Sequence, residues 1–195
     1  MSDSLARRWR DAFWQTSQAY ETAQRLREAA NTERLGLWTQ ELTSVVIETC
    51  RAVGWQAAAK RNILDLLPIR RQEYLALDVM AFAESQSRWR FPVAVMELEN
   101  SKRDDVVGYS LWKVLCVRAA LRIVFCYRRD LEQETSLLRY LSDEVFQAFD
   151  LQDRAGIEGQ TLLVIGSRSD AANFPYGFFK WWELSHDTSR FSLFR

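Results

Sequence analysis

Phe91-Pro92-Val93-Ala94-Val95-Met96-Glu97-Leu98-Glu99-Asn100 is an apolar run that ends in two acids one residue apart. Read as a strand it alternates sides with period two, so Val93, Val95, Glu97 and Glu99 share one face. Two carboxylates side by side repel, and each raises the other's pKa unless a cation or a donor compensates. Upstream, Tyr74-Leu75-Ala76-Leu77-Asp78-Val79-Met80-Ala81-Phe82 is a second apolar stretch with a single acid, Asp78. Two neighbouring strands carrying Asp78, Glu97 and Glu99 would bring three carboxylates to one edge of a sheet. Oxygen-only clusters of that kind suit Mg²⁺ or Mn²⁺. Spacing alone also allows a blander arrangement, with Glu97 and Glu99 on a solvated edge strand and Asp78 in a turn or paired with Arg70 or Arg71.

Outward from this stretch the chain reads as one domain with terminal additions. Its 195 residues are enough to bury a sizeable core. Hydrophobic residues make up 48% and charged residues 27%, and only 7 Gly and 3 Pro argue against disorder. With 26 basic and 26 acidic side chains the net charge is zero, so any nucleic-acid binding has to come from a local patch. Cys50, Cys116 and Cys126 read as buried free thiols of a reducing compartment. No two of them have zinc-clip spacing, and His186 cannot complete such a site. Met1 to Arg8 lacks the apolar core of a signal peptide, and no apolar run approaches the ~20 residues of a membrane span. The expectation is a cytoplasmic protein with no membrane partner.

Periodicity predicts a helix over 3–31, capped by Ser4, whose Trp9, Phe13 and Trp14 pack on the domain or on a second copy of the chain. A second helix over 38–53 stops at Gly54. Residues 62–67 read as a first strand ended by Pro68. Strands over 73–82 and 89–99 form an antiparallel pair across the link 84–88. A helix over 101–119 leads to the buried strand Leu121–Tyr127, and strand, helix, strand implies a parallel crossover. A helix over 134–149 and a strand over 161–166 complete a mixed sheet between helical layers. The aromatics from Phe174 to Phe194, interleaved with Lys180, Arg190 and Arg195, either pack on the core or stack bases.

An acid inside an apolar strand, a polar link, a strand ending in acid-x-acid and then a helix resembles the PD-(D/E)xK nuclease superfamily. The likeness covers roughly residues 38–128. It implies an α/β protein with a restriction-endonuclease-like mixed central sheet flanked by helices. To this core, at 36–170, the chain adds an N-terminal helical extension at 1–35 and an aromatic tail packed on the core at 171–195. Asp78 takes the place of the family's first acid and Glu97 that of its second, with the Leu98 carbonyl as a further metal ligand. Glu99 stands where the family most often has Lys, although some restriction enzymes of the superfamily carry Glu there. A Glu from the first core helix sometimes joins the metal, a place open to Glu41 or Glu48. The resemblance implies Mg²⁺- or Mn²⁺-dependent phosphodiester hydrolysis, with DNA as the expected substrate. Glu99 would order the attacking water or hold a second ion. Lys102 or Lys113 would supply the missing cation, Lys113 having the better geometry on a returning helix. Arg88, Arg90, Lys102 and Arg103 bracket the acidic strand as candidates for backbone phosphates. Phosphate-loop, dinucleotide and nucleophile-elbow motifs are missing from the sequence. The alternative is a nuclease-like fold without catalysis, binding nucleic acid or protein.

Overall fold

The computed structural model describes residues 4–31 and 35–194. Seven strands form one sheet in chain order, β1 Gln56–Ala59, β2 Val79–Phe82, β3 Ala94–Leu98, β4 Leu121–Arg128, β5 Gln160–Ser167, β6 Phe179–Ser185 and β7 Arg190–Leu193. The central strands β3, β4 and β5 are parallel; every other pairing is antiparallel. Helices cover both faces, so the chain is an α/β protein with a mixed sheet between two helical layers. The parallel strands are largely apolar because both of their faces are buried, with Glu97 and Arg122 among the buried charged exceptions.

One face is covered by α1 (Leu5–Gln18), α2 (Tyr20–Asn31) and α3 (Leu35–Ala52). Ser4 caps α1 by accepting from the Arg7 N–H, and Gly54, at φ +84°, ends the turn after α3. Trp9 and Phe13 are fully buried in this chain's own core. The Phe13 ring lies 5.2–5.5 Å from those of Trp9, Phe125, Phe179 and Trp181. The other face carries α4 (Asp104–Leu115), α5 (Leu131–Tyr140) with the π-helical turn Leu141–Phe146, and the short α6 (Leu151–Ala155). There Val107, Leu111, Val114, Leu137 and Phe146 pack on Met80, Val95, Val124 and Leu163.

Arg122 faces α4 from β4 and is almost wholly buried. Its guanidinium donates to the carbonyls of Val114 and Val117 and, at 2.6 Å, to that of Glu158. It satisfies the open C-terminal carbonyls of α4 and pins the helix end to the sheet.

Several expectations are corrected. The helix over 3–31 breaks at Ala19, whose ψ of 128° is not helical. Residues 62–67 are not a strand; the first strand is the alanine-rich β1, and the chain reverses after it with Arg61 at φ +68°. The helix over 134–149 starts earlier and widens into the π turn. The segment after Phe174 supplies β6 and β7, and its Phe174, Phe178, Phe179 and Trp181 are buried, which leaves those rings unable to stack bases. Cys50 and Cys126 are buried free thiols, but Cys116 is exposed. Burial pushes Cys50 and Cys126 up to about 12. His186 is stacked on Phe146, with one ring nitrogen 3.0 Å from the Ile157 carbonyl, a packed position away from the acids.

Candidate active site

Antiparallel pairing sets Val79 against Met96, and one residue further Asp78 stands against Glu97 at the carboxyl end of β3. Both side chains point to the α4 face, because Asp78 shares the parity of Met80 and Glu97 that of Val95. The two strands hold the acids reciprocally. Asp78 Oδ2 accepts from the Leu98 N–H at 2.7 Å, and Glu97 Oε1 accepts from the Asp78 N–H at 3.4 Å. An extended residue presents its N–H and C=O on the same edge of its strand, so the Leu98 carbonyl also faces Asp78.

The cation comes from α4. Lys113 Nζ lies 2.8 Å from Glu97 Oε2 and donates at 2.8 Å to the Ala76 carbonyl. That carbonyl is aimed by a turn in which Leu75 and Ala76 both take positive φ, +56° and +54°. Left-handed geometry costs a non-glycine residue about 1–2 kcal/mol, so the turn stores strain beside the acids.

The Glu97 side chain is only 5% exposed. Burial is the main cause that pushes its carboxyl up from 4.5 to about 7; Lys113 opposes the shift and the charge of Asp78 adds to it. Asp78 is also raised, first by burial, against the pull of the Leu98 N–H, Lys113 and Lys60. Arg70 and Arg71 are exposed and are not among the groups acting on Asp78.

Asp78, Glu97, the Leu98 backbone and Lys113 thus come together. Glu99 does not join them. Its Oε1 accepts from the Ser101 N–H at 2.7 Å and its Oε2 from the Ser110 hydroxyl at 3.2 Å, so it shapes the turn into α4. Glu48 lies on the polar face of α3, lining a cavity of about 540 Å³ that reaches Asp78, but its carboxylate is paired with Arg51 at 2.5 Å. Glu41 is paired with Arg25. Of the four basic residues expected near the acids, Arg88 and Arg90 lie in the β2–β3 link, at the opposite end of those strands. Arg103 is bound to Asp105, and Lys102 is exposed at the carboxyl end.

Among the described residues no group of three or more His, Cys, Asp or Glu side chains is arranged to hold a metal. The expected triple carboxylate is therefore a pair. Two carboxylates and a carbonyl are nevertheless a hard oxygen set that fits Mg²⁺, which takes one or two carboxylates and fills its octahedron with water and substrate oxygens.

Sequence reasoning missed Lys60, Asn62 and the hydroxyl and amide face of α3 (Thr39, Gln40, Thr43), which wall the cavity beside Asp78. No signal marked them, since β1 has the poor strand formers Ala57, Ala58 and Ala59 and its turn does not stand out. Compared with family models, with curated proteins and with solved structures, the chain matched none.

Proposed function

We propose that the chain is a Mg²⁺- or Mn²⁺-dependent nuclease with a restriction-endonuclease-like core, hydrolysing phosphodiester bonds of DNA. The observation that carries this reading is the convergence of Asp78, Glu97 and Lys113, from β2, β3 and α4, on one sheet edge. Helix, antiparallel strand pair, crossover helix and parallel strand follow one another as the resemblance requires.

Asp78 and Glu97, with the Leu98 carbonyl, would hold the ion; when bound, the ion lowers the pKa of a water and offsets charge growing on the phosphate. Asp78 is kept in place by the Leu98 N–H, so its remaining oxygen is free to bind. Glu97 binds as the carboxylate and must shed the proton that burial favours below about 7. Lys113 takes the part that position 99 cannot play with Glu, an ammonium delivered from the next helix to steady the attacking water or the phosphate oxygens. Closing the site on substrate requires Lys113 to exchange its bond to Glu97 for one to the phosphate.

The test is cleavage of supercoiled plasmid and of circular single-stranded DNA with MgCl₂ or MnCl₂. Wild type should nick or degrade at least one of them, and Asp78→Ala, Glu97→Ala and Lys113→Met should each lower the rate by two or more orders of magnitude. Equal activity in Asp78→Ala would end the assignment. A non-catalytic binding module is favoured by one feature, the 2.8 Å pair in which Lys113 already neutralises Glu97 without an ion. Wild type inert on every substrate, with no stabilisation by Mn²⁺, would support it.

A further inference from the structure

A second cleft opens on the same edge of the sheet, where β3, β4 and β5 all end. It measures about 700 Å³ and is lined by Asn100, Lys102, Arg128, Arg129, Gln133 and Arg168. In open α/β sheets, ligands settle outside the carboxyl ends of the strands. The nearby acids are spoken for. Asp104 is paired with the buried Arg128 at 2.6 Å, Glu134 and Asp170 share Lys180 at 3.0 and 3.2 Å, and Asp130 caps α5 by accepting from the Gln133 N–H. Lys102 and Arg129 are exposed. In a chain of zero net charge, this cleft concentrates basic side chains on one side of the acids.

The cleft neighbours the candidate active site at the carboxyl end of β3. Asn100, on its wall, donates from Nδ2 to Thr39 Oγ1, and Thr39 lines the cavity that reaches Asp78. From Asp78 on β2 to the end of β5 is three strand spacings, roughly 14 Å. A duplex strand rises only ~3.4 Å per phosphate, and a single strand is more extended, so a few nucleotides cover that span.

We infer that this cleft is a backbone track, in which Lys102 and Arg129 contact the phosphates of a single nucleic-acid strand a few nucleotides from the one held at Asp78. The inference rests on the nuclease reading for the strand's path past Asp78, but its test needs no cleavage. Contacts of this kind position the strand without reading its sequence.

Binding of fluorescent oligothymidylates, twelve and three nucleotides long, is measured in EDTA over a series of KCl concentrations. Wild type and the exposed-residue double variant Lys102→Ala/Arg129→Ala are compared. Losing two contacts should flatten the slope of log K against log salt by about 1.4 and weaken the twelve-mer roughly tenfold near physiological salt. The three-mer, which offers only two phosphates, should bind wild type far more weakly and with a shallower salt slope than the twelve-mer. Unchanged twelve-mer binding in the double variant, equal binding of both lengths by wild type, or no binding by wild type overturns the track. Displacement of the twelve-mer by millimolar inorganic phosphate in wild type but not in the double variant would mark an isolated anion site and also overturns it. If the twelve-mer loss holds while wild type cuts no substrate, the track stands and the nuclease reading fails.

Discussion

Replacing Glu97 by glutamine removes an ionisation that burial makes costly and leaves the side-chain shape almost unchanged. The Glu97 carboxyl sits at about 7 against an ordinary 4.5. Between those values the folded protein keeps a proton that the unfolded chain has released, so stability falls as pH rises through the window. Below about 4.5 both states are protonated and the contribution is whole; above about 7 both are ionised and it is gone. A gap of roughly 2.5 pH units at about 1.36 kcal/mol each amounts to about 3 kcal/mol, of which about 2.5 falls between pH 5 and 8. In a protein of this size 1 kcal/mol moves Tm by about 2–4 °C, so the effect is roughly 5–10 °C. Glutamine does not titrate. Thermal melts followed by circular dichroism at pH 5 and pH 8, in chelator, should show the Tm of Glu97→Gln minus that of wild type shifting by that amount in the variant's favour. Asp78, also raised by burial, titrates in both proteins and largely cancels in the difference. A difference that stays constant across this pH range would refute the buried, proton-retaining Glu97.

Mn²⁺ should stabilise wild type more at pH 8 than at pH 6, because the ion competes with the proton on Glu97; its apparent affinity, read from Tm against MnCl₂ concentration, should rise about tenfold over that interval. Asp78→Ala and Glu97→Ala should abolish the shift. Lys113→Met strips Glu97 of its counter-charge and should cost up to about 3 kcal/mol in urea melts at pH 8 but little at pH 5, where the carboxyl holds its proton. Phe13→Ala, emptying a position ringed by Trp9, Phe125, Phe179 and Trp181, should cost about 3–5 kcal/mol in the same melts without changing the pH dependence assigned to Glu97.

Much of the centre could be read from the chain. Val95, Glu97 and Glu99 alternate as a strand should, and Leu121–Tyr127 is the buried strand its branched and aromatic residues predict. The register that sets Asp78 opposite Glu97, by contrast, is given only by the pairing itself. The rest depends on tertiary contacts that leave no local mark. Glu99 has the right parity for the acid pair, yet two donors from the turn and α4 capture it. Ala57, Ala58 and Ala59 have low strand preference and extend only because β2 pairs with them. Phe179-Lys180-Trp181-Trp182-Glu183-Leu184 mixes its two faces, so β6 looks like a tail until β5 is set beside it. Arg129 and Arg168 stand far apart in sequence, and only the common ending of the parallel strands brings them to one cleft.

Arg122 carries an implication for the chemistry at the far end of its own helix contact. Its guanidinium grips the carbonyl of Val114, the residue immediately after Lys113, and among the described residues its hydrogen-bond acceptors are all peptide oxygens. On the proposed nuclease reading, the Lys113 ammonium is thus steadied by a second positive group that lies away from the substrate. Loosening that grip, as in Arg122→Met, should blur where the ammonium sits and slow turnover even in molecules that remain folded.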